Sequence, residues 1–255
     1  DDTQMTLLTA EGQLRAMHRA ELKGIAGAEL AIMYQSYLRW LHTQGRRPRE
    51  IPVGMGVYDV EEGWLIKEQG LYVLRAPGLT CLGALESGWY GTVDQPINNS
   101  KGCGGVMRVA PIGLIGYHYP DLAFKSAADA AALTHGHPSG YLSAGFLGSL
   151  IAYLVQGEEL PAAIDRSIEI LIVWPKHEEC LAAVEKAAGM YQKASPVPET
   201  IELLGSGWVG EEALAISLFC ALHYQDDFAG GVLTAINHSG DSDSTGAITG
   251  NILGV

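Results

Sequence analysis

The stretch GYLSAGFLGSLIAYLVQ, from Gly140 to Gln156, decides the fold class. Its part from Tyr141 to Val155 is the most apolar segment of the chain. This segment contains Ser and Gly and is shorter than the roughly 20 residues that a membrane span needs. We therefore predict a helix buried in the core of a globular protein, and no association with a membrane.

Apolar residues recur at helical spacing on both sides of this stretch, and alternating strand patterns are scarce. The pattern predicts further helices at Thr3–Arg19, Ala28–His42, Gly78–Ser87, Leu122–Leu133, Ala162–Ile172, Glu178–Tyr191, Pro198–Leu203, Glu211–Tyr224 and Asp226–Asn237. Residues 45–78 are rich in Gly, Pro and charge, which is typical of a long connection. Gly and Pro lie between the helical stretches and not in one linker, so we predict an all-α fold in a single domain, 1–255.

The composition narrows the function classes. Of the 255 residues, 47 % are hydrophobic and 18 % are charged, which indicates a globular chain. The formal net charge of −13 argues against general nucleic-acid binding, because such proteins are strongly basic on their binding face. The four cysteines are far apart, with no zinc spacing and no C-x-x-C pair, and no secretory signal is present. We expect reduced thiols and a cytoplasmic protein.

Acidic residues stand before a helical pattern at both ends of the sequence. Asp1 and Asp2 precede the first helix, and Asp241-Ser242-Asp243-Ser244 precedes a helical pattern at Thr245–Ile248. Helix capping explains either motif alone. However, the second run fits a tight loop that presents several hard oxygen donors, which Mg²⁺, Mn²⁺ and Ca²⁺ prefer. The two clusters together would enclose two ions roughly 3.5–4 Å apart.

The run from Asp241 to Thr245 also has the D-x-D-x-T form of the haloacid-dehalogenase nucleophile motif. That motif requires a buried strand before it and a doubly wound α/β sheet after it. The preceding residues Leu233–Gly240 do not form such a strand pattern, and we reject this alternative.

Two loops between predicted helices carry further polar residues. Asn98–Arg108 contains the Gly-rich run Ser100–Gly105, which is typical either of a nest of backbone N–H groups for a phosphate or of a structural turn. The spacing of His135 and His137, two residues apart, predicts that they lie in a loop. A histidine in a loop more often caps a helix or forms a hydrogen bond than acts as a catalyst. Trp208 fits either a nucleotide pocket or the core, and packing is the simpler interpretation.

Together these segments resemble the ADP-ribosylglycohydrolase family, which includes dinitrogenase-reductase-activating glycohydrolases and ADP-ribosylarginine hydrolases. The resemblance spans essentially the whole chain in the family's order, and its first and last motifs are specific. The matching pieces are Asp1–Gln4, Arg75–Cys81, Asn99–Arg108, Leu133–His137, Gly207–Ala213 and Gly240–Ile248.

The resemblance implies a compact orthogonal all-α fold with a cleft that holds two Mg²⁺ or Mn²⁺ ions. From their positions in the motifs, the resemblance implies that five residues are metal ligands: Asp1, Asp2, Asp241, Asp243 and Ser244. It also implies that the distal ribose and diphosphate contact the loop around Ser100, Gly102 and Gly104, with His135 beside the phosphates. The family has a hydroxyl ligand just before the aspartate pair and a nearby acidic residue often implicated in catalysis, so we expect this sequence to be truncated at both ends.

The expected activity is metal-dependent hydrolysis at the anomeric carbon of the distal ribose in an ADP-ribosylated protein, or in ADP-ribose conjugates. Asp2 and Asp243 are the candidate catalytic residues, since a carboxylate beside the bound water would accept its proton. The loop from Ser100 to Gly104 most resembles the arginine-directed branch, which favours an arginine linkage; O-linked serine adducts, free ADP-ribose conjugates and ADP-ribosylated nucleic acid are the open alternatives. The alternative is a non-catalytic ADP-ribose binder, or an immunity protein against an ADP-ribosyltransferase toxin.

Overall fold

Helices form all the regular secondary structure in the part of the chain that the structure describes, residues 1–24, 26–50, 60 and 62–255. The structure is a computed structural model. Those residues contain α1 (Asp2–Lys23), α2 (Glu29–Thr43), α3 (Leu79–Glu86), α4 (Ala110–Ile115), α5 (Pro120–Ala132), α6 (Pro138–Val155), α7 (Leu160–Leu171), α8 (Glu178–Tyr191), α9 (Pro198–Ile201), α10 (Gly210–His223), α11 (Phe228–Ala235) and α12 (Ser242–Leu253). Short 3-10 turns lie at Leu65–Lys67, Gln69–Tyr72, Val106–Arg108 and Glu202–Leu204. The prediction of an all-α fold is confirmed.

The predicted helices differ from the observed ones mainly at Pro and Gly. α8 has the predicted bounds, whereas α4 was not predicted because it contains Pro111 and Gly113. Pro111 lies in the first turn of α4, where a missing N–H costs no helical hydrogen bond. The predicted connection at residues 45–78 contains two of the 3-10 turns, and its residues 51–59 and 61 lie outside the described part.

The apolar helix α6 is the centre of the core. Every residue from Ser139 to Tyr153 is buried, and the helix packs against α4, α5, α7 and α10. A Cβ added to Gly148 would lie 2.6 Å from the Cβ of Ala127 on α5, so glycine is needed for this close approach. The helix reaches a mean hydropathy of 1.2 over its 18 residues, enough for a membrane span by composition, but 83 % of that window is buried inside the protein. It is therefore a core helix, as predicted.

Helices α1 and α12 begin side by side, although they are distant in sequence. Both contact the 3-10 turn Val106–Arg108. The Thr6 hydroxyl of α1 donates to the Met107 carbonyl oxygen at 3.3 Å, and the Thr245 hydroxyl of α12 donates to the Ala235 carbonyl oxygen at 2.7 Å. Because helix N-termini carry positive potential, this arrangement favours acidic side chains in the first turns of both helices.

The guanidinium of Arg108 lies fully buried behind this turn. Its Nη2 donates to the Ala130 carbonyl oxygen at 3.1 Å and to Thr134 Oγ1 at 2.7 Å, and the group lies 4.2 Å from the centre of the Tyr37 ring. Within the described residues it forms no ion pair with a carboxylate. A desolvated cation–π contact of this kind contributes about 2 kcal/mol, which offsets part of the cost of burying the charge.

Candidate metal centre and ligand cleft

Three carboxylates meet where α1 and α12 begin. Oxygens of Asp1, Asp2 and Asp243 all lie within 4.8 Å of one another. Asp1 stands immediately before α1, Asp2 is its first residue and buried, and Asp243 is the exposed second residue of α12. Like charges at this spacing repel, so the arrangement fits a bound cation that would neutralise them.

Side-chain capping does not explain Asp1 and Asp241, the residues that precede the two helices. Neither Asp1 nor Asp241 makes a side-chain capping bond to its helix. Asp1 Oδ2 instead accepts from the backbone N–H of Gly78, at 3.1 Å. The predicted tight loop from Asp241 to Ser244 is wrong in form, because α12 begins at Ser242 and places Asp243 and Ser244 in its first turn. Helical N–H groups are free in a first turn, and this suits acidic and hydroxyl side chains.

The other two predicted metal ligands adjoin the three carboxylates. Asp241 and Ser244 are both buried, and they lie on either side of Asp243 at the start of α12. Cys103 Sγ lies 2.7 Å from Asp241 Oδ2 and 3.6 Å from Ser244 Oγ. All five predicted ligands therefore border one site, and Asp241 lies at its edge beside a thiol that the sequence analysis did not single out.

The electrostatics of this site are compatible with a bound cation. Oδ1 of Asp2 is buried with no hydrogen-bond partner in the described residues. Burial raises the pKa of Asp2, and the hydrogen bond from Ser244 only partly offsets that shift. Burial and the bond to Asp243 also raise the pKa of Asp241, whereas the pKa of Asp243 is lowered because it accepts that bond. The donor set of carboxylates and one hydroxyl fits hard divalent cations.

A cavity of about 470 Å³ opens beside the carboxylates. Asp241, Asp243 and Ser244 line one side, and Gly102, Gly104, His135 and Trp208 line the rest together with Leu79. Its volume lies within the range of small-molecule sites, roughly 300–1,000 Å³. The structure thus brings four of the five predicted ligands, both predicted glycines and the predicted histidine to a single cleft, with Asp2 buried beside it.

Backbone hydrogen bonds fix the Gly-rich loop to the segment that precedes and begins α10. Cys103 N–H donates to the Trp208 carbonyl oxygen at 3.1 Å, and Gly210 N–H donates to the Lys101 carbonyl oxygen at 2.7 Å. Ser100 Oγ is not directed into the cavity but lies 3.1 Å from Thr80 Oγ1. Lys101 Nζ pairs with Glu179 of α8 at 2.6 Å and with Glu211 of α10, so its charge faces away from the cleft.

Close approach explains the glycine at position 104 of this loop. A Cβ built at Gly104 would lie 2.8 Å from Cys81 Sγ and 3.2 Å from His135 Nε2. Neither Gly102 nor Gly104 has a positive φ. Position 104 therefore needs glycine because the loop packs directly on Cys81 and His135 there, and not because it turns through the left-handed region, whereas a Cβ at Gly102 would make ordinary contacts.

The two histidines have different roles. His137 caps α6 by accepting from the Ser139 N–H at 3.2 Å, which agrees with the capping interpretation. His135 is buried beneath the cavity, and burial, together with the nearby Arg108, lowers its pKa to about 3. Its ring is therefore neutral at physiological pH and can donate or accept one hydrogen bond toward a ligand.

Trp208 was assigned to packing, and this was wrong. It is 60 % exposed and lines the cavity. Cys103 was overlooked inside the Gly-rich motif because a lone cysteine has no spacing to identify it.

The fold and the cleft define an all-α protein in which an acidic site borders a glycine-lined, small-molecule cavity. A model of the ADP-ribosylglycohydrolase family matches residues 1–255, and the chain belongs to that family. The resemblance found in the sequence is confirmed over the whole chain. The family consists of glycohydrolases, which supports a hydrolase whose substrate carries ADP-ribose.

Proposed function

We propose that this protein hydrolyses the glycosidic bond of ADP-ribosylated proteins, with arginine-linked ADP-ribose as the preferred substrate. The observation that carries the proposal is the convergence of Asp1, Asp2 and Asp243 beside the glycine-lined cavity, in a member of this family. The cavity offers separate walls for two neighbouring parts of ADP-ribose, the distal ribose and the diphosphate. The carboxylates suit the distal ribose and its bond, and the loop at Gly102 and Gly104 suits the diphosphate.

The proposed cofactor is a pair of Mg²⁺ ions, with Mn²⁺ as a substitute. Asp1, Asp2, Asp241, Asp243 and Ser244 are the residues that would hold them. When bound, the ions supply Lewis-acid binding of ribose hydroxyls and of a water molecule. The unpaired Oδ1 of Asp2 and the crowded carboxylates support this assignment, because each is costly without a cation nearby.

The reaction requires one proton transfer that the residues of this chain can perform. Water adds its oxygen to the anomeric carbon while the bond from that carbon to the acceptor nitrogen breaks. A carboxylate takes the proton that the water loses and returns it to the departing nitrogen. Of the two candidates, Asp243 is favoured over Asp2, because it is exposed and lines the cavity while Asp2 is buried.

The base of the ligand has a separate place. Trp208 presents an exposed ring to the cavity, and an aromatic face of this kind stacks on a nucleobase. The neutral His135 contributes a hydrogen bond beside the diphosphate. Neither group takes part in the proton transfer, so both are proposed to bind and orient the substrate.

The test is release of ADP-ribose from an arginine-modified protein. We expect release in Mg²⁺, loss in EDTA, recovery when Mg²⁺ is returned, and loss in Asp243→Ala. Asp165→Ala, on the exposed face of α7, serves as the matched control. Release that survives both EDTA and Asp243→Ala would show that the proposal is wrong.

Serine-linked substrate tests the linkage in parallel. Faster release from serine than from arginine would overturn the arginine preference alone. Tight binding of ADP-ribose with no release from either linkage would favour a non-catalytic binder.

A further inference from the structure

A buried hydrogen-bond chain leads from Arg108 through Thr134 to His135 at the floor of the cleft. Arg108 Nη2 lies 2.7 Å from Thr134 Oγ1, and Thr134 Oγ1 lies 2.8 Å from His135 Nδ1. All three residues are at most 1 % exposed. Neither Arg108 nor Thr134 lines the cavity, so any influence they have on a ligand must pass through His135.

The available donors determine where the protons of this chain lie. A guanidinium only donates, so Thr134 Oγ1 accepts from Arg108 and has one proton of its own to give. The possible acceptors are His135 Nδ1 at 2.8 Å and the Ala131 carbonyl oxygen at 3.4 Å. The shorter contact favours Nδ1 as the acceptor. Nδ1 is also favoured because the hydrogen bonds from Arg108 to Thr134 and from Thr134 to His135 then run in the same direction and polarise each other.

The opposite arrangement is electrostatically worse. A proton on Nδ1 would make His135 and Arg108 both donate to Thr134 Oγ1, and would direct the positive end of the ring toward the guanidinium. With Nδ1 as the acceptor, the proton of the neutral imidazole lies on Nε2. This is the nitrogen that faces the Gly-rich loop, since a Cβ built at Gly102 or Gly104 would lie 3.5 or 3.2 Å from it.

We propose that Arg108 and Thr134 are positioning residues that fix His135 as the Nε2–H tautomer and thereby supply a neutral donor to an anionic oxygen of the ligand. The identity of that oxygen, a phosphoryl oxygen of ADP-ribose, rests on the proposed function. The arrangement transmits the polarising effect of a buried cation without exposing its charge. The lowered pKa of His135 agrees with a ring that stays neutral beside Arg108.

The tautomer can be measured directly. Long-range ¹H–¹⁵N spectra of the ¹⁵N-labelled full chain at pH 7 distinguish protonated from bare ring nitrogens, and the His135→Asn spectrum identifies the signals of His135. We expect bare Nδ1 and protonated Nε2 in the wild type. Thr134→Val, which keeps the shape but removes the hydroxyl, should lose the fixed tautomer, whereas Thr134→Ser should retain it.

Binding and turnover provide the second readout. In Mg²⁺, Thr134→Val should raise the Kd of ADP-ribose about tenfold. It should change kcat much less, because a contact made equally in the ground and transition states mainly affects binding. Thr249→Val is the matched control, since that buried hydroxyl only donates to the Thr245 carbonyl oxygen. Thr134→Ser should restore the wild-type Kd.

Several outcomes would overturn the proposal. A wild-type His135 with its proton on Nδ1 does so whatever the variants do, even if Thr134→Val fails to fold. An unchanged tautomer in folded Thr134→Val does so as well. A wild type with the expected tautomer that does not bind ADP-ribose would support the positioning role and contradict the proposed function, so the two failures are distinguishable.

Discussion

The two walls of the cleft differ in how fully their polar atoms are paired. We call Asp1, Asp2, Asp241 and Asp243 the acidic wall, and Gly102, Gly104 and His135 the loop wall. The acidic wall gathers negative charge, and a buried oxygen of Asp2 has no hydrogen-bond partner among the residues that the structure describes. The loop wall is held by backbone hydrogen bonds and by the side-chain hydrogen bonds that link Arg108 through Thr134 to His135.

This difference indicates which wall needs a cofactor to become complete. We call the acidic wall frustrated, because its carboxylates repel one another when no cation lies between them. The polar atoms of the loop wall, in contrast, are paired by hydrogen bonds within the protein. A preorganised wall lowers the entropic cost of binding. We therefore expect metal to affect the first wall strongly and the second little, and each prediction below tests that contrast.

The largest effect is expected from Asp2→Asn. Turnover should fall by about 10²–10³-fold, the range for losing one electrostatic group in an active site. The metal-free protein should nevertheless become more stable at pH 8, because the raised pKa of Asp2 means that its ionised form opposes folding. The kcat and the Tm with and without Mg²⁺ measure both effects.

Asp165→Asn provides the control for that substitution, since Asp165 is exposed on α7. It should change neither kcat nor the Mg²⁺-dependent shift in Tm. A metal-free Asp2→Asn protein that is less stable than the wild type would contradict the view that the acidic wall is frustrated.

A smaller effect is expected from Gly104→Ala in the loop wall. The new Cβ would lie 2.8 Å from Cys81 Sγ and 3.1 Å from His135 Cε1, so the histidine or the loop must shift. Overpacking of this kind destabilises the fold by about 1–3 kcal/mol. The displacement of His135 or of the loop should also weaken the binding of ADP-ribose by about tenfold. Calorimetric titration in Mg²⁺ measures the Kd.

The difference between the two walls is supported if Mg²⁺ still raises the Tm of Gly104→Ala, because the loop wall is then altered while the acidic wall still responds to metal. Gly189→Ala on α8 is the control, because a Cβ there meets no atom within 4 Å. Loss of the Mg²⁺ effect together with ADP-ribose binding would mean that the two walls are coupled and not independent.

The last prediction concerns the dependence of stability on pH, and it involves neither turnover nor ligand binding. His135 has a folded pKa of about 3, below its unfolded value near 6.5, so the unfolded chain binds more protons at acidic pH. The contribution of the neutral ring to stability is fully present above about pH 6.5 and is lost as the pH falls toward 3. The Tm should therefore fall less steeply between pH 6.5 and 4 in His135→Gln than in the wild type. Equal slopes would contradict the burial of a neutral ring.

Regular patterns in the sequence predicted most of the helices, because burial on one face gives a helical period and burial on all faces gives a long apolar run. The stretch Gly140–Gln156 and the pattern at Glu178–Tyr191 are examples. The short helix α4 was missed because Pro111 is compatible only with its first turn. Its position in that turn is fixed by neighbours that are distant in sequence.

The candidate site was predicted in part. The acidic residues attract attention because capping does not need so many of them, and the family motifs indicated His135 and the Gly-rich loop. Arg108 gave no local signal, since its partners Tyr37 and Thr134 come from distant segments. Trp208 was misassigned because an aromatic residue alone does not indicate whether it faces the core or a cavity.

The meeting of α1 and α12 also has a consequence for how the protein is made. Asp2 emerges early during synthesis and Asp243 emerges late, so a nascent chain carries only part of the acidic wall. Contacts between such distant positions form late in folding, because closing a long loop costs entropy before any contact is gained. A cation that joins both helices would therefore bind after the rest of the core has folded. Once bound, it would slow the unfolding of the protein.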